Sequence, residues 1–419
     1  MKKRVYYLIR LWQQAPLRIS AGFGEATDSD LIRDSRGLPY IPGSSLAGAL
    51  RSMLPQAEGD ELFGFFNGDQ IVESRMAVSD AALKGTERDC FITIRDGVAL
   101  TDEGIAADGR KYDFEVLETS KPYEAVLEVN DTDAGGLQAL AEKMLALASR
   151  GFSLGARTTR GYGRMRMDVR RRTFILPDDL NAWLDWDPRG EGAWEAADRF
   201  ALPEQAETPD VEICASLVFD GSFAVRVYDD PDDHGADYTY MRPADGGKRK
   251  RAVIPGTTWA GVFRHHMRRL CGEAGLKADV LRSVDSFFGV PENDSADDIH
   301  RSLIRFDETV VSGGDGMGQV RVAVDRFTAK PRDGALYHTE AYRGGNGQLR
   351  ITFPRKAADR MLLSLLEASL KDLNYGVMSF GGETGTGRGM ARISAITVNG
   401  ADRTAALKNG ALLSEEVIA

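Results

Sequence analysis

Cysteine is nearly absent: the 419 residues hold three, Cys90, Cys214 and Cys271, and none has CxxC spacing. That excludes a disulfide framework and argues against structural zinc, and it points to a reducing compartment, the cytoplasm by default. Histidine is as sparse, and all five, His234, His265, His266, His300 and His338, fall in the second half. Chemistry common to both halves must therefore use carboxylates, backbone groups or metal, and no Ser-His-Asp or Cys-His arrangement recurs. No run approaches the roughly 20 apolar residues of a membrane span. The opening MKKRVYYLIRLWQQ begins like a signal peptide, but Arg10 and Gln13 break its apolar run and no small-residue cleavage site follows. A basic excess is also lacking: 53 Lys+Arg against 63 Asp+Glu give −10, which argues against indiscriminate coating of a polyanion.

What is there is a repeat. IPGSSLAGALR (Ile41 to Arg51) returns as IPGTTWAGVFR (Ile254 to Arg264), a spacing of 213 residues. Phe63-Gly64 returns as Phe288-Gly289 and DGRKYDFE as DGALYHTE, both at 225, and SLGARTTRGYGRMRM as SFGGETGTGRGMARI at 226. Four collinear matches at nearly constant spacing mean a tandem duplication. The Pro-, Asp- and Glu-rich stretch after RMRMDVRRRTFIL reads as the join, with one short helix around its Trp and Leu residues. The boundary is placed near 205, giving domains 1–204 and 205–419.

Each copy reads as alternating strands and helices. RVYYLIRLWQQAPLRIS is a β-rich opening, and VEICASLVFDGSFAV reads as a strand, a DG turn and a second strand. A helix follows each IPG, with Ser44-Ser45 and Thr257-Thr258 as expected N-caps and Leu46, Ala49, Leu50 and Met53 on one face. GLQALAEKMLALASRGF and DRMLLSLLEASLKDLNYGV are amphipathic helices that lead into Gly-rich turns. The order predicts an α+β ferredoxin-like (RRM-like, βαββαβ) domain used twice.

Four features carry chemistry. The IPG helix starts offer backbone N–H groups and a dipole to an anion, with Gly43 permitting close approach and Arg51 and Arg264 adding charge. The turns GARTTRGYGR and GGETGTGRG free backbone amides for a phosphodiester, aided by Arg157, Arg160 and Arg164; neither ends in GK[ST], so nucleotide hydrolysis is disfavoured. Basic clusters, Arg157 to Arg172 and Lys248 to Arg251 with Arg264, Arg268 and Arg269, can oppose a nucleic-acid backbone locally. Before the first IPG, Glu25, Asp28, Asp30 and Asp34 crowd a Gly-containing loop, a pattern that suits a hard cation or a general base; Asp237 opens the comparable DYTYMR run. His265 and His266 read as surface or packing residues.

PYIPGSSLAGALR after DSDLIRD, the Phe63-Gly64 element, the DG…E segment and GARTTRGYGRM together resemble the RAMP proteins that form the backbone of type III CRISPR effector complexes. The second copy is similar through IPGTTWAGVFR, VAVDRFTAKPRDGALYHTE and FGGETGTGRG, and the tandem pair is similar to fused backbone subunits of type III-D-like systems. The resemblance implies a palm with an inserted β-hairpin thumb in each copy, the thumbs lying within Ile94 to Glu115 and Val322 to Glu340 with Arg95, Tyr112, Arg326, Phe327 and Tyr337. It implies guide RNA contacts at Gly43, Ser44, Ser45, Arg51, Arg157, Arg160, Gly161, Gly163 and Arg164, and at Gly256, Thr257, Thr258, Arg264, Gly385, Gly387, Arg388 and Gly389. It implies as partners the guide RNA, a complementary target RNA and other effector subunits, with no membrane. It also implies cutting of target RNA with a divalent cation, Mg or Mn, at Asp28, the start of D-S-x-[LV]-I-[KR]-D, possible as a metal ligand too. Asp237 is the weaker match, since copy two lacks the second aspartate and has a longer link to its IPG. The alternatives are a non-catalytic guide-binding scaffold and a guide-processing endoribonuclease.

Overall fold

Strand β1 (Lys2–Gln13) shows at once how the first half is built, because it is buried on both faces. Val5, Tyr7, Ile9 and Leu11 point to one side and join the main core, while Tyr6 and Leu8 point to the other and pack on Phe174 and Trp194. The computed structural model describes residues 2–20, 22, 27–68, 70–100, 106–131, 136–195, 197–200, 210–227, 237–242, 251–289, 300–357 and 359–418. Glu25, His234 and residues 248–250 lie outside the described residues.

After β1 come helices α1 (Gly43–Arg51) and α2 (Gln56–Phe63), strand β2 (Met76–Val78), and a long hairpin of β3 (Phe91–Leu100) and β4 (Ala106–Thr119). Strand β5 (Tyr123–Asp131), helix α3 (Gly136–Ser149) and strand β6 (Arg164–Leu176) complete the unit. The sheet order is β6-β1-β5-β2, antiparallel throughout. This is the ferredoxin-like order, with the hairpin inserted between the second and third strands.

The second half repeats the plan. Strand β7 (Asp210–Val218) precedes helices α4 (Gly256–Glu273) and α5 (Ala278–Phe288), strand β8 (Arg305–Phe306) and a hairpin of β9 (Asp315–Val324) and β10 (Pro331–Arg343). Strand β11 (Asn346–Pro354), helix α6 (Arg360–Asn374) and strand β12 (Arg392–Val398) follow, in sheet order β12-β7-β11-β8. The chain divides into two compact units, of which the second takes in the described residues from 210 to 418 together with Leu100, Ala106 and Thr159–Gly161.

One difference between the units is legible in a strand. Unlike β1, β7 alternates: Val211, Ile213, Ala215 and Leu217 are buried and the residues between them are partly exposed. The outer face of the first sheet is covered by its own following segment, where Trp183, Trp186 and Trp194 pack on Tyr6 and Phe174, so β1 has to be apolar on both sides. The short helix expected there forms at Leu180–Leu184.

Two local expectations are corrected. The IPG helices are capped at Pro42 and Pro255 with no side-chain cap, so Ser44, Ser45, Thr257 and Thr258 sit inside the first turn. The DG turn after β7 does not fold back as a hairpin: Ser222-Phe223 pairs with Arg343 and Tyr342 of β10, because the inserted hairpin offers it an edge. His266 is a packing residue, as expected: it is buried against Asp372 at 2.7 Å, and desolvation holds its pKa below the usual imidazole value.

Candidate nucleic-acid interface

Asp28 is exposed and tied to the root of the hairpin. Its backbone N–H donates to Asp113 Oδ1 at 3.0 Å, and the Asp113 N–H donates back to Asp28 Oδ2 at 3.1 Å. Two residues on, the Glu115 N–H donates to the Ser29 carbonyl, and Glu115 accepts from the Leu31 N–H and pairs with Arg33. In the second unit the Asp237 N–H donates to the His338 carbonyl at 2.8 Å and the His338 N–H to Asp237 Oδ2 at 2.6 Å. The Glu340 N–H donates to the Tyr238 carbonyl, and Glu340 pairs with Arg242 at 2.6 Å. Asp237 therefore occupies the place of Asp28, and His338 the place of Asp113. The nearby carboxylates are spent locally: Asp30 accepts from the Thr27 amide and hydroxyl, and Asp34 from the Arg36 and Leu38 amides.

Among the described residues no group of three or more His, Cys, Asp or Glu is arranged to hold a metal ion. Asp28 and Asp113 nonetheless put two carboxylates on one exposed edge. That donor set fits a magnesium-class cation that keeps waters and completes its shell from substrate oxygens, not a protein-built cage.

The IPG helix starts are less open to an anion than their sequence implies. The Gly43 N–H donates to Asp80 Oδ1 at 2.7 Å, which puts a carboxylate at the positive end of α1. Gly43 is needed for close approach, but to the protein itself, since a Cβ there would lie 2.4 Å from the Val78 carbonyl oxygen; at Gly256 the Phe306 carbonyl oxygen would lie at 2.2 Å. Ser44 and Thr257 remain exposed on the first turn. Arg51 and Arg264 are drawn away: Arg51 pairs with Asp60 and donates to the Gly64 carbonyl, while Arg264 and Arg268 share Asp285. Asp60 and Asp285 recur at the same spacing as the Phe-Gly elements, a signal that could have identified both clamps.

The Gly-rich turns are shaped first by their own backbone. Gly163 has φ +73° and an added Cβ would lie 1.8 Å from the Leu154 carbonyl oxygen; Gly389 has φ +77° with Phe380 in the same place at 1.9 Å. Their amides donate to the carbonyls of Pro16 and Ser222, so neither is free for a phosphodiester. Gly163→Ala is expected to destabilise the first unit by at least about 2 kcal/mol, read as a shifted urea transition; a wild-type transition would show that the turn can relax. Gly385 and Gly387 face open space. Arg160 and Gly161 group with the second unit. Arg388 is 4% exposed and contacts Glu383, whereas Arg157 lies over Phe114 and Tyr112.

The Arg-rich strand β6 has mostly structural partners. Arg170 and Arg172 donate to the carbonyls of Trp194 and Ala193, Arg172 lies over Phe174 and Trp186, and Arg171 pairs with Glu142. Arg170 and Arg172 hold the Trp-rich segment on the sheet, and Arg171 ties the strand to α3. Arg164 begins the strand, paired with Ser153.

Of the hairpin residues, Arg95 is buried at the base against Glu118, and Tyr112 stacks on Phe114. In the second unit, Asp325 Oδ1 accepts from the Phe327 and Thr328 amides, a turn that leaves Phe327 83% exposed under Arg326. Val322, Leu336 and Tyr337 are exposed along the same hairpin.

The RAMP superfamily profile matches residues 14–166 and 238–392, one match per copy. No curated protein matches. Similar solved structures include cryo-EM chains of Type III-B Cmr-beta in the apo state and bound to cognate target RNA, each 12% identical with TM-score 0.33, covering 39% of this chain and 96% of the other. No helix among the described residues is long and apolar enough to cross a membrane.

Proposed function

This chain belongs to the RAMP superfamily, and from that membership we propose that it is a fused pair of backbone units of a type III CRISPR effector complex that holds a guide RNA and cuts the paired target RNA at Asp28. The observation that carries the reading is the loop-to-hairpin tie, Asp28 to Asp113 and again Asp237 to His338. It puts an exposed aspartate at the root of an inserted hairpin twice in one chain. A hairpin wedged into a guide–target duplex distorts the target backbone beside that root. The partners are then the guide RNA, the target RNA and the neighbouring subunits of the complex.

Asp28 Oδ2 is engaged by the Asp113 amide, which fixes the carboxylate and leaves Oδ1 for substrate. Oδ1 takes the proton of a target ribose 2′-hydroxyl as that oxygen attacks the adjacent phosphorus. The O2′–P bond forms, the P–O5′ bond breaks, and the 5′ oxygen leaves with a proton from water. The products are a 2′,3′-cyclic phosphate and a 5′-hydroxyl, and a strand without the 2′-hydroxyl is not cut. A magnesium or manganese ion held by Asp28, Asp113 and RNA oxygens would neutralise charge at the phosphate.

The test is a target carrying one 2′-deoxynucleotide at the cut beside the first unit, offered to the assembled complex. That cut is expected to vanish while binding persists; persistence of the cut overturns the mechanism. The second reading is a scaffold without cutting. It predicts that Asp28→Asn leaves every product in place.

A further inference from the structure

One carboxylate of the second unit joins three segments that lie far apart in sequence. Glu383 sits in the Gly-rich turn at φ 59°, a costly conformation for a residue with a Cβ. Its Oε1 accepts from the Tyr238 hydroxyl at 2.7 Å, in the loop that begins at Asp237, and from Arg321 Nη1 at 2.8 Å, on strand β9 of the hairpin. Its Oε2 lies 2.9 Å from Arg388 Nη1, farther along the turn, an ion pair without hydrogen-bond alignment. Arg321 and Arg388 meet again at Gln319 Oε1 of β9. The Glu383 and Arg388 side chains and Tyr238 are nearly out of water.

The backbone of the turn is committed elsewhere. Gly382 and Gly389 donate to the carbonyls of Ala224 and Ser222, while the turn reaches the loop and β9 through the Glu383 and Arg388 side chains. Arg226 stands 4.0 Å from the same carboxylate, so three guanidinium groups share one counter-charge. Neutralising it strands cations that water reaches poorly, and every segment that carries a donor to it is loosened at once.

The first unit divides these duties. Its hairpin carries both members of its own buried pair, Arg95 on β3 and Glu118 on β4. At the 226-residue spacing of the turns, the place of Glu383 is taken by Arg157, also at positive φ, which lies over the Tyr112 and Phe114 rings. The turn there packs on the hairpin with a cation and supplies no carboxylate from this position.

We infer that Glu383 couples the Asp237 loop, the hairpin and the Gly-rich turn of the second unit into one cooperative body, a conformational lock that the first unit does not have at the matching position. The inference rests on the reading that loop and hairpin root face the RNA together. Under that reading the second unit presents Asp237 in a single geometry, set from the turn.

The test is hydrogen exchange of the full chain, followed in peptides spanning 237–242, 315–324 and 380–389. Glu383→Gln keeps the side-chain shape and an acceptor oxygen and removes the charge. It is expected to speed exchange about tenfold or more in all three segments together, with the first unit unchanged. Faster exchange confined to 380–389 overturns the lock and makes Glu383 a residue of the turn alone. Where Glu383→Gln fails to fold, Tyr238→Phe and Arg321→Gln decide, because both remove donors to the same oxygen. The opening constant of the double variant is expected to differ by about twofold or more from the product of the two single effects, and simple multiplication overturns the coupling. In the first unit, Arg157→Gln is expected to speed exchange in its turn and leave the Asp28 loop at the wild-type rate; spread to that loop overturns the contrast between the copies. Failure of the lock leaves cutting at Asp28 standing, since that is read separately from target RNA products.

Discussion

Asp28→Asn is expected to slow target cleavage beside the first unit by about 10²-fold or more, with target binding and the other cuts in the ladder unchanged. Asparagine is the informative substitution because the side chain has two duties. Its Oδ2 accepts the Asp113 amide, and an amide oxygen can do the same, so the loop stays tied to the hairpin. Only the charge is removed. Asp28→Ala removes both and is expected to lose the cut and loosen the hairpin root, which amide exchange at Asp113 would report. Product mapping in the assembled complex reads the result. Wild-type cleavage by Asp28→Asn would sink the catalytic role and leave Asp28 as a structural tie.

The second unit sharpens the expectation. Asp237 is also tied in both directions, but its N–H donates to the His338 backbone carbonyl where the Asp28 N–H donates to the Asp113 carboxylate. A cation held partly by protein would there lose one of its two carboxylates. Asp237→Asn is accordingly expected to change the product ladder much less than Asp28→Asn. The duplication has kept the geometry of the tie and not its charge.

The fold was legible from the repeat because periodicity and spacing are local properties of a chain. The alternation of strands and helices, present twice, carries the ferredoxin-like plan, the inserted hairpins were implied by the RAMP resemblance, and DYTYMR was enough to align Asp237 with Asp28. Pairing was not legible. Arg51 is tied to Asp60, Arg264 to Asp285, and Arg170 and Arg172 to the carbonyls of the Trp-rich segment. A cluster of arginines in sequence shows where cations start, and only the tertiary structure shows where they end. The charge of −10 argued against indiscriminate RNA coating; the structure moves the question to which few cations keep free donors.

The pair that anchors the first hairpin gives the largest expected effect on stability. Glu118 Oε1 accepts from Arg95 Nε at 2.7 Å and from the Thr93 hydroxyl at 2.6 Å, and Oε2 accepts from Arg95 Nη2 at 2.6 Å. Arg95 Nη1 also donates to the Tyr162 hydroxyl at 3.3 Å, which joins β3 and β4 to the Gly-rich turn. Both side chains are nearly out of water, 4% and 6% exposed. The attraction of such a pair is largely offset by the cost of desolvating two charges, so its net contribution is small. Breaking it is another matter. Glu118→Ala leaves a buried guanidinium without its counter-charge and is expected to cost about 3–5 kcal/mol. Replacing both partners together, Arg95→Met with Glu118→Leu, is expected to recover most of that loss, because no charge is then stranded. Urea unfolding of the first unit, with amide exchange along β3 and β4, separates the two cases. A single substitution costing under about 1 kcal/mol, or a double variant no better than the single, would show that water reaches the base of the hairpin and that Arg95 is not its anchor.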